Sequence, residues 1–183
     1  EAKTLNEVSW GVLFFFERRQ DCLAFGQRIQ ELVSDNNPSS KIVAGEYLDA
    51  SALSLLEENK EQLNTIKDLP EFPKGRHYAI YVEIEGDDPD GCEEKLVELM
   101  EIFEEYGGQE EDTWAGNSEQ EIDKFHRLRH GISQACGLKH NVKTASDFMS
   151  APGSFNDDMK MYLNDIAESG IRGIVFAHLL ENR

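Results

Sequence analysis

The sequence predicts an α+β fold: two ferredoxin-like halves, about 8–67 and 76–183, with helices packed on a largely antiparallel sheet that the halves share. Three observations carry this expectation. Short β-prone runs alternate with amphipathic helical stretches along the whole chain. The segment 68–75, "DLPEFPKG", holds two prolines and a glycine and reads as a linker, after which the strand–helix order begins again. The strand that follows it, "RHYAIYVEIEG", alternates. Tyr78, Ile80, Val82 and Ile84 fall on one side, and Ala79, Tyr81, Glu83 and Glu85 on the other. That second face is wetter, which suits helices covering one side of an antiparallel sheet.

The elements follow in order. "VSWGVLFFF" (8–16) is apolar and β-prone, a strand. The helix after it, 21–33, carries Cys22, Phe25, Ile29, Leu32 and Val33 on one face. "KIVAGEYLD" is a second strand, and Asp49 or Ser51 is suited to cap the helix 50–60. Beyond the linker and its strand, "DGCEEKLVELMEIFEEYGG" is an amphipathic helix. Leu96, Leu99, Met100 and Phe103 point inward, and Gly107–Gly108 ends it. Then come a short strand near 109–113, a helix from about 118 to 135, a strand near 142–149 and a helix from about 155 to 168. A last strand, 171–177, runs into His178.

Composition limits the function classes. In 183 residues, 36 acids against 18 Lys and Arg give a formal charge of −18. Such a surface repels phosphate backbones and anionic lipid, which excludes nucleic acid as an expected partner. No apolar run approaches the ~20 residues that span a bilayer. The beginning, "EAKTLNEVSWG", lacks the basic and apolar regions of a signal peptide. Cys22, Cys92 and Cys136 are odd in number and far apart, as expected of reduced thiols in a cytoplasmic protein.

The stretch "EQEIDKFHRLRHGISQACG" is the most informative for chemistry. Ile122, Phe125, Leu128, Ile132 and Ala135 form an apolar stripe, and Arg129 lies at its edge, with His126 one turn before and Ser133 one turn after. An arginine held there needs a carboxylate, phosphate or carbonyl. From spacing alone the ordinary partner is one of the acids of the same chain, and the alternative is a ligand. His126 and His130 are spaced i, i+4, but with no third ligand nearby they make a weak metal signal. No GxGxxG or GxxxxGK[ST] is present, so the chain carries no phosphate-cradling loop of its own.

Several local signatures, in order, resemble the C-terminal cap domain of FAD-linked oxidases. "ERRQDCLAFGQRIQEL" followed by "IVAGEYLDASALSLL" resembles the first half of that domain, with Glu46, Tyr47, Leu48 and Asp49 matching its "ElmD"-like segment. "FHRLRHGIS" resembles the family's "lWklRegi" helix, with His126 in the tryptophan slot and Arg129 in the arginine slot. "GIRGIVFAHLLENR" resembles its closing "vfGHiGenhlH" strand, with Ala177 in place of a glycine. "KTASDFMSAP" matches the "KxDvxvP" segment only roughly, through Lys143 and Pro152.

The resemblance implies the substrate-binding cap of a flavin-dependent oxidoreductase that oxidises a 2-hydroxy acid such as glycolate or D-lactate. It implies FAD held mainly by a preceding FAD-binding domain of the same polypeptide, and an iron–sulfur electron-acceptor subunit as a further partner. Arg129 would bind the substrate carboxylate, with Ser133 and Lys143 as further substrate contacts. His178 would act as general base or hold a divalent metal such as zinc. The family's second closing histidine would fall two positions beyond Arg183, so the chain is expected to be a fragment, inactive alone. The alternative is a stand-alone ferredoxin-like ligand-binding or regulatory domain without catalysis.

Overall fold

A computed structural model describes residues 8–33, 40–139, 144–151 and 153–180. Five strands form one antiparallel sheet in the order β4-β1-β3-β2-β5. They are β1 (Val8–Phe16), β2 (Ser40–Leu48), β3 (Tyr78–Gly86), β4 (Thr113–Gly116) and β5 (Phe176–His178). The helices are α1 (Arg19–Val33), α2 (Ala50–Asn59), α3 (Pro89–Glu105), α4 (Glu119–Lys139) and α5 (Phe155–Ser169). The α+β class and the antiparallel sheet are as expected. The halves interleave: β3, the first strand after residue 75, is inserted between β1 and β2, so β1 to β4 make one ferredoxin-like unit across the 68–75 connection.

Helices cover both faces of the sheet, not one. Val12, Phe14, Phe16, Ile80, Val82 and Ile84 meet α1 and α3, with Phe155 and Met159 of α5 closing the same cluster. Leu13, Phe15, Leu48, Ala79 and Tyr81 meet α2 and α4 on the opposite face. The expectation of a wet second face fails because Glu83 and Glu85 lie only at one end of β3. Toward the other end, Ala79 and Tyr81 are buried under helices. The apolar run Val12–Phe16 is the sequence mark of such a two-sided strand, since a strand with one wet face would alternate.

Three expected strands differ. Residues 144–151 have no regular structure, and 142 and 143 lie outside the described residues. Phe148 and Met149 are exposed there, so no core fixes an extended segment. The strand near 109–113 is a short 3-10 turn, Glu110–Asp112, leading into β4. The last strand shrinks to three residues on the β2 edge, and Ile171, 70 % exposed, stands outside it.

What precedes β5 is fixed by a buried carboxylate. Asp49 does not cap α2 with its side chain. Instead it accepts bonds from Arg19 Nε (2.9 Å), Arg19 Nη2 (3.2 Å) and the Tyr47 hydroxyl (2.6 Å). Its backbone N–H donates to Val175 O, and the Val175 N–H donates to Ser51 Oγ. These bonds, together with Leu179 N donating to Gly45 O (2.8 Å), register β5 on β2. Burial pushes the Tyr47 phenol pKa up, so it remains a donor to Asp49.

Candidate functional site

A one-residue irregularity decides which face Glu46 occupies. The β2–β3 register shifts between Ile42 and Ala44, where β2 holds an extra residue. Without that bulge, period-two alternation would put Glu46 on the face of Ile42, beneath α1 and α3. With it, Glu46 pairs with Tyr81 and shares the α4 face with Leu48, while Tyr47 turns into the opposite core. Glu46 also pairs with His178 of β5, and Leu13 pairs with both Tyr81 and Trp114. One row of side chains therefore crosses all five strands: Trp114, Leu13, Tyr81, Glu46, His178.

Helix α4 lies over this row. Its start is a capping box: the Glu121 N–H donates to Ser118 Oγ, and the Ser118 N–H donates to Glu121 Oε2. Phe125, Leu128, Ile132 and Ala135 then pack into the core beneath it. Their burial brings the i, i+3 pair His126 and Arg129 over the polar part of the row.

Two groups result. In the first, Arg129 Nε lies 3.0 Å from Glu46 Oε2, Arg129 Nη2 meets His178 Nε2, and His178 Nδ1 lies 2.8 Å from Glu46 Oε1. The guanidinium carbon stands 5.4 Å from the Phe176 ring centroid. Among the described residues these contacts do not engage Nη1. In the second, the His126 Nε2–H donates to Glu83 Oε2 at 2.8 Å, and the Tyr81 hydroxyl donates to the same oxygen at 3.2 Å. The Glu83 carboxylate on the ring raises the His126 pKa from its ordinary value. Burial raises that of the Tyr81 phenol.

Between the groups is a cavity of about 170 Å³. Leu13, Leu48, Phe125 and Leu128 form its apolar wall, and Glu46, Tyr81, His126, Arg129 and His130 its polar side. An apolar recess with a few converging polar groups suits a small polar organic molecule.

The structure places Arg129 and His178 in contact, with Glu46 against both. Arg129 does have an acidic partner in its own chain, the ordinary reading of its spacing. His178 has both ring nitrogens engaged and is not among the residues lining the cavity. Ser133 is exposed, one turn along α4, and does not line it either. Lys143 and Pro152 lie outside the described residues. Sequence reasoning did not single out Glu83 and Tyr81. Their signal was the inward face they share with Ala79 in the alternation of β3.

The described residues do not fit a metal such as zinc at His178. One ring nitrogen faces a guanidinium and the other a carboxylate. Among these residues no group of three His, Cys, Asp or Glu is placed to hold an ion. Among the described residues the positive-φ glycines, Gly75, Gly107, Gly153 and Gly170, stand singly and form no phosphate-cradling loop. Among the described residues no helix is long and apolar enough to cross a membrane.

Comparison with known proteins gives three findings. The family model described as "FAD linked oxidases, C-terminal domain" matches residues 28–182. No curated protein sequence matches. Among solved structures, an alkyldihydroxyacetonephosphate synthase is similar at 14 % identity with a TM-score of 0.44. The match covers 97 % of this chain, which spans about a third of that protein, 33 % of its length.

Proposed function

The chain belongs to the FAD-linked oxidase family through its C-terminal domain, and on that premise we propose that it is the substrate-binding cap of a flavin-dependent oxidoreductase acting on a small 2-hydroxy acid. The observation that supports this reading is Arg129. It is held at the cavity by Glu46 on one nitrogen and His178 on another, with Nη1 left for a carboxylate. The His178 contact and the Glu46 carboxylate, an ion-pair partner 3.0 Å from Nε, restrict the guanidinium before any ligand arrives, which lowers the ordering cost of binding. In this reading His178 and Glu46 position Arg129, and the apolar wall of the cavity excludes water from the carbon to be oxidised. Glycolate and D-lactate are of a size for the cavity. The flavin, bound mainly by a preceding domain of the same polypeptide, supplies the hydride acceptor. The half-exposed Phe176 beside Arg129 offers that domain an apolar seat. The cytoplasm is the compartment we assign, on the three free cysteines.

Purified alone, this chain is expected to be colourless, because it provides a substrate wall and no phosphate cradle. An absorption spectrum checks this, and a yellow preparation with near-stoichiometric flavin contradicts the cap reading. In the flavin-bearing polypeptide, glycolate or D-lactate is expected to bleach the flavin under anaerobic conditions. Failure of both, and of longer 2-hydroxy acids, sinks the substrate assignment.

A further inference from the structure

The two polar groups at the cavity differ in what they leave free. In the Glu46–Arg129–His178 group the imidazole is engaged at both nitrogens. In the Glu83–His126–Tyr81 group, Nε2 is bound, and among the described residues Nδ1 has no partner. His126 lines the cavity and His178 does not. A carboxylate on one imidazole nitrogen fixes the tautomer and makes the other nitrogen more basic, the arrangement that general-base histidines use.

We propose that His126, oriented by Glu83, is the proton acceptor of this cavity: a 2-hydroxy acid sits with its carboxylate on Arg129 and its hydroxyl toward His126 Nδ1. This rests on the cap reading above and adds to it the residue that removes the proton. His126 and Arg129 are i, i+3 on α4, neighbours on one face at roughly 5–6 Å between Cβ atoms. Carboxylate and hydroxyl stand on adjacent carbons of the acid, so one helical turn presents a partner to each. In the step, the hydroxyl O–H bond breaks and its proton passes to Nδ1. The hydrogen on the same carbon leaves as hydride, with both electrons of the C–H bond, for the oxidised flavin. The 2-hydroxy acid becomes the 2-oxo acid, and the imidazolium is stabilised by Glu83. Tyr81, its hydroxyl donating to Glu83, holds that carboxylate against the ring. The groups that set the charge state of His126 are Glu83, which bonds its ring, Glu46 on β2 and Asp123 on its own helix, opposed by its partial burial, with the Tyr81 hydroxyl beside Nε2.

The test has an arm that needs no flavin. In this chain, NMR titration of the His126 imidazole is expected to give a midpoint above the ordinary ~6.5, falling back toward it in Glu83→Gln. In the flavin-bearing polypeptide, with D-lactate as probe, kcat/KM is expected to fall on the acid side of that midpoint. His126→Gln is expected to lose this limb and about 10²-fold or more in the rate of flavin reduction. Glu83→Gln is expected to move the limb to lower pH, and His178→Asn to keep it. The His126 side chain is 46 % exposed, so melting of His126→Gln is expected to match the parent. If His126→Gln keeps both rate and limb while Arg129→Met loses activity, the base lies elsewhere and this inference alone falls. If the limb travels with His178, His178 is the base. If neither Arg129→Met nor His126→Gln changes reduction, the cap reading fails and the inference fails with it.

Discussion

Arg129→Met in the flavin-bearing polypeptide is expected to lower kcat/KM for a 2-hydroxy acid by two to three orders of magnitude. The loss of one desolvated charged contact, roughly 3–4 kcal/mol, accounts for a change of that size. Stability should respond far less. The Arg129 side chain is 35 % exposed, and its removal does not strand Glu46, whose other oxygen keeps His178 at 2.8 Å. A partly solvated pair of this kind is worth about 1 kcal/mol. Arg129→Lys is expected to rescue little, because an ammonium cannot brace against Glu46 and His178 and still donate in the plane to a ligand. Steady-state kinetics on folded enzyme, with thermal melts of the same variants, separates the two effects. A large loss of stability with unchanged activity per folded molecule would make Arg129 a purely structural ion pair.

The largest stability change is expected from Phe14→Ala. Phe14 is fully buried on β1, an inner strand, with ring centroids 4.9 Å from Phe25 and 5.1 Å from Phe103. It thus joins the sheet to α1 and α3 at once. Truncating it leaves a cavity that three elements would have to shift to fill, at a cost of about 3–5 kcal/mol. For a domain of this size that lowers Tm by on the order of 10 °C. Val97→Ala, at a 56 % exposed position of α3, is the control and should change stability by less than about 0.5 kcal/mol. Thermal unfolding of the two variants checks the contrast, and equal melts would place the core elsewhere.

Much of this architecture is legible in the sequence because periodicity reports burial. The stripe of α4 named its own inward face, and with it the position of Arg129. The alternation of β3 put Tyr81 and Glu83 on one side. Two features were not legible, for physical reasons. A bulge costs only one residue and leaves no compositional mark, so the face of Glu46 could not be read from "KIVAGEYLD". An edge strand as short as β5 is made by bonds from distant residues, Gly45, Asp49 and Ser51, and not by its own propensity. The apolar run 171–177 therefore overstated it. The pairing of His126 with Glu83 was hidden for a related reason. His126 stood one turn from Arg129 in plain view, but its orienting acid comes from a strand 43 residues away.

The central claim is that Arg129 recognises the charge of a substrate carboxylate. The most direct measurement pairs a change in the protein with a change in the substrate. The rate of anaerobic flavin reduction by D-lactate is compared with that by its uncharged amide, in the parent enzyme and in Arg129→Met. The parent is expected to prefer the acid by two orders of magnitude or more, and the variant is expected to lose that preference, because the charge then has nothing to meet. An acid-to-amide ratio that is the same in both proteins would contradict the account.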